Sequence, residues 1–208
     1  MLQIHTLPLG DYQTNCYIVW DDAGTSCAVI DPGYDAQTVL NTTARFGLTI
    51  DAILLTHGHF DHVGAVKDLV NATGCRLWMS QSDWSQKRNP VTAYLYPIAN
   101  SDFTEVQFCE DGEAISAGGL VFTVMVTAGH TAGSVCYLCG DAMFSGDTLF
   151  AGSCGRTDFP GGSMQTILAS LKRLGELEGN YQVCPGHMST SELDWERQSN
   201  PYLQKAMK

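Results

Sequence analysis

Four apolar runs in this 208-residue chain end alike: strand-forming residues, a turn of small residues, then a histidine or an aspartate. The runs are "DAILLTHGHFDHVG", "LVFTVMVTAGHTAGS", "AMFSGDTLF" and "YQVCPGHMS", and their glycines let the backbone turn tightly beside the polar group. No other feature constrains the fold as much. Loops at the carboxyl ends of strands in open α/β folds are where ligand sites tend to form. Four such loops predict one shared rim carrying His57, His59, Asp61, His62, His130, Asp147 and His187.

The rest of the chain supplies layers to carry that rim. "LQIHTL", "NCYIVW" and "CAVI", with "DDAG" as a turn between the last two, predict a meander of antiparallel strands. "DPGYDAQTVLNTTARFG" predicts a helix stopping at Gly47. From there strands and helices alternate. "DAILLTH" is a buried strand and "HVGAVKDLVNATG" one amphipathic helix stopped by Gly74, and "RLWMS" and "QSDWSQKR" repeat the pair. "GSMQTILASLKRLGEL" has helical period with Ser163 as its cap, and "TSELDWERQSNP" reads as a capped helix that Pro201 interrupts. Two similar halves of this kind give two β-sheets packed face to face with helices on both outer faces. No linker divides the chain, so residues 1–208 are expected to form one domain. The segment 89–109, "NPVTAYLYPIANSDFTEVQFC", lacks a clear period and reads as a lid or an insertion.

Composition excludes several classes. An apolar fraction of 44% with only 16% charged residues fills a sizeable core, unlike a disordered chain. Eleven basic against 22 acidic residues give a formal charge of −11, which repels phosphate backbones and excludes nucleic acid as a partner. The start lacks a secretory signal, and no run approaches the ~18 apolar residues of a membrane span; the expectation is a soluble, cytoplasmic protein. The eight cysteines read mostly as small buried apolar residues. Cys136 and Cys139 have C-x-x-C spacing, but residues three apart on a strand face opposite sides, which argues against a shared metal or disulfide. His5, isolated in an apparent strand, stays outside the cluster.

Neutral imidazoles suit Zn, Fe or Mn, and carboxylates add negative charge and can bridge two ions about 3.5 to 4 Å apart. Seven ligands exceed the needs of one tetrahedral ion. Two ions with three protein ligands apiece and one in common use all seven. Without metal, the same loops would place several costly polar groups in a poorly solvated crevice.

At these residues the chain resembles the metallo-β-lactamase superfamily, whose signature H-x-H-x-D-H stands here as "HGHFDH". The later ligands of that family align with His130 in "AGHTAGS", Asp147 in "SGDTLF" and His187 in "CPGH". The resemblance implies an αββα four-layer sandwich of two mixed sheets flanked by helices, with two divalent metal ions, Zn foremost and Fe or Mn as alternatives. It implies His57, His59 and His130 at one metal, Asp61, His62 and His187 at the other, and Asp147 between them. His59 stands where the flavodiiron branch has glutamate, and the Asp147 carboxylate is one from which the β-lactamases usually depart. "GDTLFAGSCGRTDFPGGS" and "NPYL" are similar to the short glyoxalase II-like hydrolases of bacteria. That likeness implies hydrolysis of S-lactoylglutathione and related thioesters, so the expected partner is a small glutathione-derived thioester. Asp61 would orient the attacking hydroxide. Arg156, where the longer enzymes usually have lysine, would clamp a substrate carboxylate, with Tyr94 or Tyr96 as helpers from the 89–109 segment. The rival reading is a persulfide dioxygenase using one iron, a branch with similar "CGRTDF" text.

Overall fold

In the computed structural model, which describes residues 1–88, 93–97 and 106–208, the two-residue alternation of the strands sorts the apolar side chains into separate cores. The first half supplies β1 (Leu2–Leu9), β2 (Thr14–Asp21), β3 (Ser26–Ile30), α1 (Ala36–Arg45), β4 (Thr49–Leu54), α2 (Phe60–Val63), α3 (Val66–Thr73), β5 (Arg76–Met79) and α4 (Gln81–Trp84). The second supplies β6 (Val106–Phe108), β7 (Ala114–Ala117), β8 (Leu120–Val126), β9 (Val135–Cys139), β10 (Ala142–Gly146), β11 (Leu149–Phe150) and β12 (Ser153–Cys154). The chain continues through α5 (Met164–Gly175), β13 (Gln182–Pro185), β14 (Ser191–Glu192), α6 (Leu193–Ser199) and α7 (Pro201–Ala206).

One sheet has the order β1-β2-β3-β4-β5-β6, antiparallel up to β3 and parallel from there on. The other runs β14-β13-β10-β9-β8-β7, with β10 and β13 parallel and the other pairs antiparallel. Along β2, Cys16 and Ile18 face outward into a core shared with Val39 of α1 and Val66 and Leu69 of α3. The alternate residues Tyr17 and Val19 face inward against Phe122, Tyr137 and Phe144 of the other sheet. On the far side, Met143 and Val183 pack against Leu171 and Leu174 of α5 and Leu203 of α7. The layers are therefore helix, sheet, sheet, helix, which is the αββα sandwich the sequence implies. Cys136 lies in the outer core and Cys139 in the inter-sheet core, and all eight cysteines are free. Among the described residues no helix is long and apolar enough to cross a membrane.

Two helices differ from expectation. The single helix predicted over "HVGAVKDLVNATG" is broken between α2 and α3, where the loop after β3 presses in. Ala65 N donates to Pro32 O at 3.0 Å, and a Cβ on Gly64 would lie 2.3 Å from Gly33 O. At the C-terminal end, α6 starts at Leu193 without a side-chain cap. Pro201 opens a new helix instead of merely ending one, as its missing N–H and fixed φ favour at a first helical position. Most of the 89–109 segment lies outside the described residues.

Asn200 secures this end of the fold. Its Oδ1 accepts from Tyr202 N and Leu203 N at 3.0 and 3.2 Å, capping α7. Its Nδ2 donates to Phe150 O, Ser153 O and the buried Glu196 carboxylate at 3.2, 2.9 and 2.8 Å. The loop joining β11 to β12 is thereby pinned to α6 and α7. Replacing Asn200 by alanine strands two carbonyls and uncaps α7, so Asn200→Ala should lower stability by about 2 kcal/mol. Urea unfolding should show a lower midpoint with an unchanged slope; an unchanged midpoint would mean the cap contributes nothing net.

Candidate metal centre

All seven predicted residues meet at one end of the sandwich. His57 follows β4, His59, Asp61 and His62 lie at the start of α2, His130 follows β8, Asp147 directly follows β10, and His187 follows β13. The ligand atoms of His57, His59 and His130 lie within 4.8 Å of one another, as do those of Asp61, His62 and His187. Asp147 stands between the two trios. Its Oδ1 is 3.4 Å from His62 Nε2, and its Oδ2 is 3.5 Å from His130 Nε2 and 3.6 Å from His187 Nε2.

Oxygen acceptors behind the imidazoles set their orientation. His62 Nδ1 donates to Asp31 Oδ2 at 2.9 Å, and His130 Nδ1 donates to Arg156 O at 2.8 Å. The Thr56 hydroxyl donates to Asp31 Oδ2 at 2.6 Å, so its oxygen is left to accept from His57 Nδ1 at 3.1 Å. His187 Nδ1 faces Tyr12 O at 3.3 Å. Four rings thus hold Nδ1 on the protein and turn Nε2 inward, the arrangement that orients metal-binding histidines. His59 is the exception, with Nδ1 toward the centre, 2.9 Å from His130 Nε2.

The two trios differ in charge. Burial, with neighbouring imidazoles, holds His57 well below the usual histidine range, takes His59 to about 3, and lowers His130 in spite of Asp147. Burial also opposes charge on His62, but Asp147, Asp31 and Asp61 outweigh it and lift this ring to about 9. His187 is raised against burial by its bond to Asp61 and by Asp147. Burial would raise the Asp61 carboxyl, yet His187 and His62 bring it down to about 2.

This donor set fits divalent cations. Buried polar atoms are normally hydrogen-bonded, yet His57 Nε2, His62 Nε2 and Asp147 Oδ1 are buried without a hydrogen-bond partner. His59 Nε2 shares that condition, and His62 Nε2 and Asp147 Oδ1 face each other 3.4 Å apart.

Two buried aspartates escape sequence reasoning. Asp31 follows β3 in "IDPG", which is the strand-then-ligand pattern once more, so that repetition was the signal available. Besides His62 it accepts from Thr56 N at 2.8 Å. Asp83 sits at the end of S-x-x-D (Ser80 to Asp83), where it imitates a capping residue. Its carboxylate instead accepts from Gly58 N, Thr131 Oγ1 and Gly133 N at 2.9, 2.9 and 3.0 Å, tying the His57–His59 loop to the His130 loop. Burial raises it to about 6 despite these three donors.

A cleft of about 640 Å³ opens over the site, with Tyr12, Tyr94, Phe150, Arg156, Phe159 and Met188 among its walls. Arg156 lines this cleft; its Nε and Nη2 donate to Asp158 through two bonds of 2.7 Å, and its guanidinium lies over the Phe159 ring. Tyr94 is exposed on the wall, whereas Tyr96 is buried against His59, ring centroids 5.1 Å apart. His5 lies away from the centre in β1, its ring 5.0 Å from that of Phe46.

This fold and site define a class, and comparison with known proteins agrees: residues 9–187 match the family model described as Metallo-beta-lactamase superfamily. The chain belongs to that superfamily. It is 32% identical to "Hydroxyacylglutathione hydrolase GloC" of Haemophilus influenzae, over 97% of this chain and 98% of that protein. Among solved structures, TTHA1623 in a di-iron-bound form superposes with a TM-score of 0.82 at 35% identity, covering 95% and 99% of the two chains. The BLEG-1 B3 metallo-beta-lactamase gives 0.83 at 31%, covering 98% and 99%. ETHE1 from Myxococcus xanthus gives 0.80 at 30%, covering 96% and 83%.

Asp31→Ala removes the acceptor that orients His62 directly and His57 through Thr56. Outer partners of this kind typically contribute about 10–100-fold to metal affinity. Zinc titration against a chromophoric chelator should show a loss of that size in at least one site; unchanged affinity in both would deny Asp31 the orienting role.

Proposed function

We propose that this protein is a metal-dependent thioester hydrolase acting on a small glutathione-derived substrate of the S-lactoylglutathione type. The observation that carries the reading is the Asp147 carboxylate, which faces the His57–His59–His130 trio on one side and the Asp61–His62–His187 trio on the other. In this reading the seven residues hold two divalent ions, with Asp147 shared. Zinc is the first choice for imidazole and carboxylate donors, with iron or manganese as alternatives, and the di-iron relative supports a paired site. The nearly full-length similarity to GloC supports the reaction class.

Two divalent ions, when bound, supply a water acidified toward neutrality and positive charge for a carbonyl oxygen. The chain's own residues do the rest. Asp61, kept ionised by His187 and His62, is an acceptor poised to orient the attacking water toward the thioester carbon. Its Oδ2 is held 3.2 Å from His187 Nε2, with Thr14 Oγ1 3.5 Å away. The leaving thiol, with an ordinary pKa of ~8.5, departs as thiolate with little acid help. Arg156 meets a substrate carboxylate only by sharing or releasing Asp158.

The likeness to ETHE1 and the "SCGRTDF" text favour a second reading, a persulfide dioxygenase with one iron. Thiol release from S-lactoylglutathione, set against oxygen uptake with glutathione persulfide on the same preparation, separates the two. Asp61→Asn should lower kcat for thiol release by about 100-fold or more; near-normal turnover at full metal content would remove Asp61 from the mechanism. Chelation should abolish thiol release and lower the melting temperature together, because bound metal stabilises only the folded state. An active, metal-free preparation would sink the metal-dependent reading.

A further inference from the structure

We infer that the acyl half of the substrate carries an aromatic ring, seated in a second depression beside the metal centre; this rests on the thioester hydrolase reading. The depression, about 360 Å³, adjoins the main cleft, and Tyr12, Phe60 and Asp61 line both. A substrate whose reacting carbon lies near Asp61 would turn its thiol carrier into the main cleft and its acyl group past the Tyr12 and Phe60 rings, which line both spaces.

Gly33 and Gly64 belong to the depression's lining; a Cβ on them would lie 1.7 Å from Asp61 O and 2.3 Å from Gly33 O respectively, so close backbone packing requires glycine at both positions. Its walls are apolar and aromatic: Leu9, Tyr12, Tyr34 and Phe60. Tyr12 is presented by the turn between β1 and β2, closed by Gln13 N donating to Gly10 O at 3.1 Å. Its ring meets Phe60 edge-on, with centroids 5.2 Å apart.

Size and charge choose the ligand. Tyr12 and Tyr34 are each 63% exposed, so much of their surface remains for an incoming group. A lactoyl group offers one methyl and one hydroxyl, which leaves most of such a space unfilled, whereas an aryl ring can meet these walls edge-on or offset, as aromatic pairs prefer. Besides Asp61, a metal ligand in this reading, the charged residue lining the depression is Asp11, which disfavours a carboxylate there. Arg156 lines the main cleft and not the depression. An anionic carrier therefore belongs on the Arg156 side and an uncharged ring on the Tyr34 side.

The test uses metal-replete full-length protein and two thioesters that differ only in phenyl for methyl, S-mandeloylglutathione and S-lactoylglutathione. The mandeloyl ester should have a kcat/KM about tenfold higher, and the exposed-wall variant Tyr34→Ala should lower that ratio about tenfold. Equal values, or a ratio that Tyr34→Ala leaves unchanged, would overturn the inference. Calorimetry with two non-hydrolysable ketone thioethers, S-phenacylglutathione and S-acetonylglutathione, reads the pocket without turnover. Tighter phenacyl binding that Tyr34→Ala abolishes supports the pocket, and equal affinities refute it. If neither thioester reacts at full metal content, the hydrolase reading fails by itself, and the binding pair still decides for or against the ring site.

Discussion

The rim depends on one buried carboxylate. Asp31, only 1% exposed, accepts from Thr56 N, Thr56 Oγ1 and His62 Nδ1. These bonds join the end of β3 to the loop after β4 and to α2, and they set two imidazoles, one directly and one through Thr56. The interaction is one of position more than of strength. A buried carboxylate is costly unless its oxygens are occupied, and here the same donors that stabilise Asp31 belong to the segment carrying four of the seven site residues. Asp83 plays the matching part across the cleft, holding the His57–His59 loop to the His130 loop. The site is thus built from loops, yet behaves as an extension of the two sheets, because buried acids tie those loops to one another.

The centre has two electrostatic halves. His57, His59 and His130 are driven neutral by burial and mutual proximity, although His59 Nδ1 donates to His130 Nε2 while His130 Nδ1 donates to Arg156 O. His62 and His187 sit among Asp31, Asp61 and Asp147 and are held toward the protonated state. A cation entering the second trio must displace those protons, whereas one entering the first needs only the His59 proton to move off Nδ1. Filling both positions is therefore linked to pH through the second trio alone: the raised folded-state pKa values stabilise protonated rings, and that competition fades as pH rises toward about 9.

Much of this was legible in the sequence, for a definite reason. The seven site residues announce themselves because each follows a strand-forming run, and a period-two pattern also divides Cys136 from Cys139 correctly between cores. What stayed hidden arises from contacts distant in sequence, or from short-range pairing that a motif does not specify. Gly64 breaks a periodic helix because Gly33 lies against it, and helical periodicity carries no information about that neighbour. Asp31 in "DPG" looks like a turn residue, and Asp83 in "SQSD" looks like a cap. Arg156 pairs with Asp158 two residues on.

That pairing bears on how so acidic a chain would attract the anionic carrier of the proposed substrate. The rim carries Asp61 and Asp147, with Asp31 behind them, and the chain as a whole has a formal charge of −11. Arg156, balanced by Asp158, adds no net charge of its own to the loop. In the proposed reading divalent ions would replace the protons of His62 and His187 and offset more of the charge on these carboxylates, so loading makes the local field less negative. Attraction and chemistry would then share an origin in the proposed reading: the charge that favours an anionic carrier in the cleft is the charge that would polarise its thioester.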